Sequence, residues 1–173
     1  TSMAISIAEV SSTGTDLRGQ EGLDAITGRF VVWSVEATDI GVQTRAVLSS
    51  VRDGPTAQAA TDSARAHFAR TGLTGNGSLM RTAPIALAYL HDHEGRRGAA
   101  RAISSLTHGD EEAGEACALW CDAIAHAVLH GTLDGLRLSV ASLPHDRAAV
   151  WTRRLDEAEA LLPHEIAHNG WVV

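Results

Sequence analysis

The sequence predicts an all-α protein, an orthogonal bundle of several helices. Apolar residues recur at the three- and four-residue spacing of a helix face along almost the whole chain, and no segment alternates over the length of a strand. Hydrophobic residues make up 45% of the 173 positions but aromatic residues only 4%, and small side chains let helices approach closely. We therefore expect one helical domain, residues 1–173, with helices packed on helices rather than a β-sandwich.

The helix boundaries follow from breaks in this apolar pattern. Turns are predicted at Asp39-Ile40-Gly41 and Asp53-Gly54-Pro55, and Pro84 requires its helix to start near Thr82 or to kink. The predicted helices are residues 1 to 10, Gly22 to Trp33, a third after Gly41, Thr56 to Arg70, one from about Thr82 to Leu90, Asp110 to His130, Leu133 to Leu143, and Arg147 to Leu162.

The segment from Asp110 to His130 has the strongest helical pattern. Acidic residues occupy its first turn, and histidine and glycine occupy its end, as helix-terminus electrostatics favours. The two cysteines, Cys117 and Cys121, lie one turn apart on one face, and we expect buried free thiols in a reducing cytosol. The stripe expected to face the core is Ala113, Ala116, Cys117, Trp120, Ile124 and Val128.

The charge pattern excludes several classes of function. A net charge of −7 argues against a nucleic-acid partner, because such proteins carry a positive field. No apolar run approaches the length that crosses a bilayer, and the start of the chain lacks the basic region of a signal peptide. The basic pairs Arg96-Arg97 and Arg153-Arg154 are expected on exposed faces among acidic residues.

The segment Gly75-Asn76-Gly77-Ser78 is the strongest candidate for a binding site. Glycines that adopt positive φ let successive backbone N–H groups point into one concavity, and a helix that begins just afterwards adds partial positive charge. Such a loop suits a phosphate group, and Ser78 could cap the helix or donate to a ligand oxygen. An ordinary glycine-rich connection between two helices has the same spacing, so spacing alone leaves both interpretations open.

The residues in and after this loop resemble a known enzyme family. The run from Gly75 to Arg81, followed by Ala83-Pro84, is similar to the signature loop of the ADP-ribosylglycohydrolases, which include the dinitrogenase-reductase-activating enzyme. Ser105-Leu106-Thr107-His108 resembles the family's Leu-Thr-His before a long core helix. Weaker similarities lie in Thr1-Ser2-Met3-Ala4 and Asn169-Gly170-Trp171-Val172-Val173. The resemblance implies an all-helical hydrolase of the N-glycosidic bond in ADP-ribosylated side chains, ADP-ribosyl-arginine first among them.

The resemblance implies roles for six residues. Gly75, Asn76, Gly77 and Ser78 would hold the diphosphate and nearby ribose of ADP-ribose, and His108 would contact the ligand from the facing loop. Asp39 takes the position of an acidic residue near the scissile bond. The loop and the histidine must then lie close together and face a shared cleft. Without the resemblance, the histidine could be a buried core residue and the aspartate an ordinary turn or cap residue.

The resemblance also implies two divalent metal ions, Mg²⁺ or Mn²⁺. The family holds them with an upstream Thr-Asp-Asp and a downstream Asp-x-Asp-Thr motif, whose hard oxygen ligands suit these ions. Thr1 would directly follow the first motif, and the second would lie after the chain. We therefore expect a chain that is incomplete at both ends, supplies the ADP-ribose-binding part of a cytoplasmic enzyme, and is inactive alone. The substrate would be an ADP-ribosylated protein or a small-molecule ADP-ribose adduct.

Two alternative functions stay open. The segment from His164 to His168 fits the pattern His-Glu-x-x-His of zinc metallohydrolases, in which His164 and His168 would bind zinc and Glu165 would be the base. Gly170 would end such a helix almost at once and no third ligand follows, which favours a coincidental match. The other alternative is a catalytically inactive helical module that binds ADP-ribose.

Overall fold

A computed structural model describes residues 2–72, 75–162 and 165. In these ranges 74% of the residues are helical and none lies in a strand, which confirms the all-α prediction. No helix among them is long and apolar enough to cross a membrane. The helices are α1 (Ser2–Ser12), α2 (Gln20–Glu36), α3 (Val42–Ser50), α4 (Ala57–Thr71), α5 (Ala83–Ala88), α6 (His93–Ser105), α7 (Glu111–His130), α8 (Gly135–Ala141) and α9 (His145–Ala160).

The main hydrophobic core is formed by helices α1 to α7. Ile7 of α1, Phe30 of α2, Ile85 of α5 and Ile103 of α6 are all fully buried in it. Full burial of one such side chain contributes about 1.5–3 kcal/mol to the free energy of unfolding, so this core holds together the helices that carry the candidate site. A second, smaller cluster joins α7 to α8 and α9.

Helix α7 packs against α5, α6 and α8, and Cys117, Ala116 and Ile124 of the predicted stripe lie in or against the core. Trp120 and Val128 are 42% and 54% exposed, so their prediction as core residues is wrong. Five of the eight buried residues of α7 are small, and these let α6 approach so closely that a Cβ on Gly114 would lie 3.6 Å from the Cα of Arg101. The small buried residues are Gly114, Cys117, Ala118, Cys121 and Ala125.

Helix α6 is absent from the predicted set. Its first six residues include two arginines and two glycines, which obscure the apolar face of Ala99, Ala100 and Ile103. The prediction that Arg96 and Arg97 are exposed is also wrong. Arg96 is 7% exposed, and the Nε atoms of the two arginines donate to the Asp122 carboxylate at 2.7 and 2.6 Å. A carboxylate 25 or more residues away compensates the buried charge, and the local sequence contains no sign of it.

A 3₁₀ turn, Leu79–Arg81, separates the glycine-rich loop from α5. Pro84 lies in the first turn of α5, where its missing N–H would have no helical partner. The predicted start near Thr82 is therefore confirmed, and the loop approaches the bundle by irregular backbone rather than by a long helix.

Candidate functional site

Three chain segments that are distant in sequence converge at Gly77. A Cβ built on Gly77 would lie 3.2 Å from Cε1 and 3.3 Å from Nε2 of His108, and 3.6 Å from Oγ1 of Thr44. The predicted proximity of the Gly75–Ser78 loop to His108 is therefore confirmed. The His108 contacts are tighter than an ordinary Cβ contact, so an alanine at position 77 would push the imidazole away.

The first turn of α3 contacts both the loop at Gly77 and the turn that carries His108. Gln43 Nε2 donates a hydrogen bond to the carbonyl oxygen of Thr107 at 3.1 Å, and Thr44 is buried. The first backbone N–H groups of a helix have no helical acceptor and carry partial positive charge. These two residues were not predicted. The signal available was their position in the first helical turn after the Asp39–Gly41 break.

Asp39 is exposed in the loop directly before α3. No described residue donates a hydrogen bond to its carboxylate. The residue that caps the start of α3 is Gly41, without a side-chain hydrogen bond, so capping of α3 does not explain an aspartate at position 39. The loop that carries Asp39 leads into the helical turn that contacts Gly77 and Thr107.

The backbone of the Gly75–Ser78 loop differs from the predicted phosphate nest. Among the described glycines, positive φ occurs at positions 14, 72 and 131, so Gly75 and Gly77 do not use the positive φ that a glycine permits, and the nest interpretation is not supported. The loop instead forms tight turns, in which the N–H of Leu79 donates to the Asn76 carbonyl at 3.0 Å. Glycine is needed at position 77 because His108 is so close, whereas a Cβ on Gly75 would meet open space.

Ser78 faces the interior of the bundle. It is 1% exposed, and the Sγ of Cys117 donates to its Oγ at 3.4 Å. Its side chain caps no helix, so that part of the prediction is wrong. Cys121 Sγ similarly donates to the Thr82 carbonyl at 3.4 Å, and burial raises the pKa of this thiol to about 12. Both cysteines are free and buried, as predicted, and they attach the loop to α7.

The groups of the loop that can reach a ligand are therefore few. Gly75, Asn76 and Gly77 are half-buried, and the carboxamide of Asn76 makes no hydrogen bond to any described residue. The Asn76 carbonyl already accepts a hydrogen bond from the N–H of Leu79. The Asn76 carboxamide and the backbone N–H groups of the loop therefore remain to bind a ligand.

A cleft of about 590 Å³ opens beside His108 and Gly109, and its walls carry two arginines, Arg65 and Arg101, and two acidic residues, Asp110 and Glu111. That volume is in the range of small-molecule sites. The Gly75–Ser78 loop does not line this cleft, so His108 is the residue that connects the loop to it. Of the residues predicted to line a shared cleft, His108 therefore lines this one and the Gly75–Ser78 loop does not.

Gly109 fixes the position of the histidine. A Cβ on Gly109 would collide with the carbonyl oxygen of Ala64 and with the backbone of Arg65 in α4. Backbone atoms inside a helix cannot move aside cheaply, so a larger residue here would displace the turn that carries His108.

A buried series of hydrogen bonds leads to the His108 ring. Arg81 Nη2 donates to Thr107 Oγ1 at 2.8 Å and to the Ile103 carbonyl at 3.0 Å, and Thr107 Oγ1 lies 2.7 Å from His108 Nδ1. Burial and the positive charge of Arg81 lower the pKa of His108 to about 3, so the ring is neutral at pH 7. Burial lowers the pKa of Arg81 to about 10, which leaves the guanidinium charged.

Within residues 2–72, 75–162 and 165, no group of three His, Cys, Asp or Glu side chains could hold a metal ion. His164 and His168 of the zinc pattern, and Thr1, lie outside the described residues. Glu165, the predicted base of that pattern, accepts a hydrogen bond from the backbone N–H of Leu162 at 2.6 Å.

Comparison with known proteins gives a family assignment. The family model described as ADP-ribosylglycohydrolase matches residues 1–173, the whole chain. No curated protein matches, and no solved structure matches.

Proposed function

This chain belongs to the ADP-ribosylglycohydrolase family, whose general activity is hydrolysis of a glycosidic bond, and from that premise we propose that it binds ADP-ribose for cleavage of the N-glycosidic bond to a modified side chain. The linkage we propose is ADP-ribosyl-arginine, presented by a protein or a small adduct. The contact between Gly77 and His108 supports this most, because it joins the two segments that resemble the family. The buried free thiols favour a cytoplasmic location.

In the proposed complex, the chain recognises the diphosphate and ribose mainly by hydrogen-bond donors. The Asn76 carboxamide and the first N–H groups of α3 are free to donate to ligand oxygens. The neutral His108 ring donates through one nitrogen. Arg65 and Arg101 in the cleft walls can donate to phosphate oxygens, although Asp110 and Glu111 in the same walls balance their formal charge.

Asp39 has the proposed catalytic role. Cleavage of a glycosidic bond passes through an oxocarbenium-like transition state, in which positive charge develops on the ribose. A carboxylate beside that centre stabilises the charge as it develops, and it acts more on the transition state than on bound product. The exposure of Asp39 is compatible with this role, since no described residue occupies the carboxylate.

The family is generally dependent on divalent metal ions, and we propose Mg²⁺ or Mn²⁺ for the active enzyme. The described residues of this chain do not fit such a site, because they contain no suitable group of ligands. We therefore assign no step of the reaction to the metal ions, and we propose that residues other than those described here bind them. We propose further that the 173-residue chain by itself binds ADP-ribose but does not hydrolyse its adducts.

The binding proposal is tested by titrating ADP-ribose into the purified chain by calorimetry. Wild type and Gly28→Ala are expected to bind equally, since a Cβ on Gly28 of α2 meets open space and Gly28 lies outside the candidate site. Gly77→Ala is expected to bind about tenfold more weakly, the loss of roughly one good hydrogen bond, because the new methyl group displaces His108. No binding by wild type would contradict the proposed function, and equal affinity of the two variants would remove the Gly77–His108 contact from the site.

The role of Asp39 is tested in an enzyme that contains this chain and turns over substrate. Asp39→Asn is expected to lower kcat by about a hundredfold and to leave ADP-ribose affinity within about threefold, because product binding does not sample the transition state. Asp53→Asn changes another exposed turn aspartate and should alter neither quantity. An unchanged kcat in Asp39→Asn would exclude Asp39 from catalysis.

A further inference from the structure

We propose that Arg81 and Thr107 are positioning residues that hold His108 in its neutral Nε2–H tautomer, so that the ring presents a hydrogen-bond donor to the ligand at Gly77. The identity of the ligand rests on the function proposed above. The tautomer depends on the protein alone and can be measured without any ligand.

The assignment follows from counting donors and acceptors along the buried hydrogen bonds. An arginine side chain donates and never accepts, so Thr107 Oγ1 must be the acceptor in its 2.8 Å contact with Arg81 Nη2. The Thr107 hydroxyl still has one hydrogen. The acceptor within reach among the described residues is Nδ1 of His108, at 2.7 Å. When Nδ1 accepts, the hydrogen of a neutral imidazole is on Nε2.

The Nδ1–H tautomer would leave the buried Thr107 hydroxyl hydrogen without an acceptor. With the hydrogen on Nδ1, the ring would donate to a hydroxyl that already accepts from Arg81, and the hydroxyl hydrogen would have no acceptor. Thr107 is 0% exposed and His108 3% exposed, so water cannot readily satisfy that hydrogen. An unsatisfied buried donor costs about 1–3 kcal/mol, enough to favour one tautomer strongly.

Arg81 also opposes a charged ring. Its guanidinium is buried and has no carboxylate partner among the described residues, so its field is not neutralised nearby. The field and the burial together keep His108 neutral well below pH 7. Arg81 thus has two effects, since it orients the Thr107 hydroxyl and prevents formation of an imidazolium ion.

The free nitrogen faces the candidate loop. Nε2 makes no hydrogen bond to any described residue, and it would lie 3.3 Å from a Cβ on Gly77. Phosphate oxygens only accept hydrogen bonds, so a ring that presents Nε2–H binds them, whereas the other tautomer presents a lone pair that repels them. Ribose hydroxyls can pair with either tautomer. The tautomer of His108 therefore affects how tightly the chain binds the ligand.

The test is a two-bond ¹H–¹⁵N spectrum of the ¹⁵N-labelled chain, in which His108→Gln identifies the His108 signals. Wild type is expected to show a protonated Nε2 and an unprotonated Nδ1. Thr107→Val removes the hydroxyl but keeps the shape, and it should give mixed tautomers and about tenfold weaker ADP-ribose binding. Thr107→Ser restores the hydroxyl and should recover both. Thr27→Val is the matched control, because Thr27 is also fully buried but bonds only to a helix carbonyl.

A protonated Nδ1 in wild type would overturn the assignment, and so would a single Nε2–H tautomer that persists in Thr107→Val. If Thr107→Val does not fold, Thr107→Ala serves as the second variant, and the wild-type spectrum still decides the tautomer. If wild type shows the expected tautomer but binds no ADP-ribose, the proposed function fails while the positioning role of Arg81 and Thr107 stands.

Discussion

Arg96 and Arg81 are both buried arginines of the same bundle, at 7% and 3% exposure, and their surroundings differ. Arg96 shares the Asp122 carboxylate with Arg97 and also donates to the carbonyl oxygens of Tyr89 and Leu90. Arg81 has no carboxylate within reach in the described chain. It donates to two neutral oxygens, lies over the Phe30 ring at 5.0 Å, and leaves its Nε and Nη1 without partners there.

This difference indicates a structural role for the charge of Arg96 and a functional role for the charge of Arg81. Asp122 also accepts a hydrogen bond from Ser139, so that cluster gives both arginines a carboxylate acceptor and links α6, α7 and α8. An unpaired buried guanidinium destabilises a fold, and this one lies beside the candidate ligand contact at His108. We infer that the Asp122 cluster contributes to folding and that Arg81 contributes to binding.

The largest expected effect is on the free energy of unfolding, when the carboxylate partner of Arg96 is removed. Asp122→Asn removes the carboxylate from two buried arginines and should lower the free energy of unfolding by about 3–5 kcal/mol. Burial raises the pKa of Asp122, but hydrogen bonds from Arg97, Arg96 and Ser139 outweigh this and leave it lowered, so the group is ionised at pH 7. Urea unfolding measures the loss. Asp156→Asn removes an exposed partner of Arg137 and should lose less than about 1 kcal/mol. Equal losses would contradict the structural role of the cluster.

The next effect compares the two arginines directly. Arg96→Met leaves carbonyl and carboxylate acceptors unsatisfied in the core and should lower the free energy of unfolding by about 2–4 kcal/mol, with ADP-ribose affinity unchanged. Arg81→Met also relieves two unsatisfied donors, so its stability should stay within about 1 kcal/mol of wild type. Its ADP-ribose affinity should fall about tenfold. Urea unfolding and calorimetric titration of both variants decide the matter, and the inference fails if Arg81→Met loses stability but keeps its affinity.

The smallest effect is the pH dependence that burial imposes on His108. Its pKa is about 3 in the folded protein and 6.5 when unperturbed, so the unfolded chain takes up a proton first as the pH falls. Stability from this group is therefore lost progressively below pH 6.5, by about 1.5 kcal/mol between pH 6.5 and 5. His108→Asn should remove that part of the slope in urea unfolding at a series of pH values. His145→Asn, which removes an exposed ring, should not. Parallel slopes for wild type and His108→Asn would mean that the ring is not kept neutral.

Sequence patterns predicted the helices well where apolar spacing was strong, and predicted the face of a helix poorly where packing used small residues. Trp120 was expected in the core because it lies on the apolar stripe of α7, yet it is 42% exposed, while Gly114 and Ala118 are buried. Hydrophobicity alone ranks these residues in the wrong order, because the partner helix determines how much volume is available. Helix α6 was missed for a related reason, since its buried arginines depend on Asp122, far along the chain.

The candidate site was predictable to the extent that it is local in sequence. The loop at Gly75–Ser78 and the histidine at 108 were identified by resemblance, and their contact is confirmed by the structure. The reason for glycine at position 77 was not predictable, because it is a distance to a residue 31 positions later rather than a backbone angle. The hydrogen bonds from Arg81 to Thr107 likewise depend on tertiary contacts, and no spacing rule contains them.

The thiols of Cys117 and Cys121 have one more consequence. Both are fully buried and both attach to the backbone or side chains of the segment that carries Gly77. A thiol-alkylating reagent can reach them only during a transient opening of the bundle around α7, and their hydrogen bonds lead us to expect that this segment separates from α7 in that opening. The alkylation rate of the native protein therefore reports how often the loop opens locally. Slower alkylation in the presence of ADP-ribose would show that the ligand stabilises the closed loop.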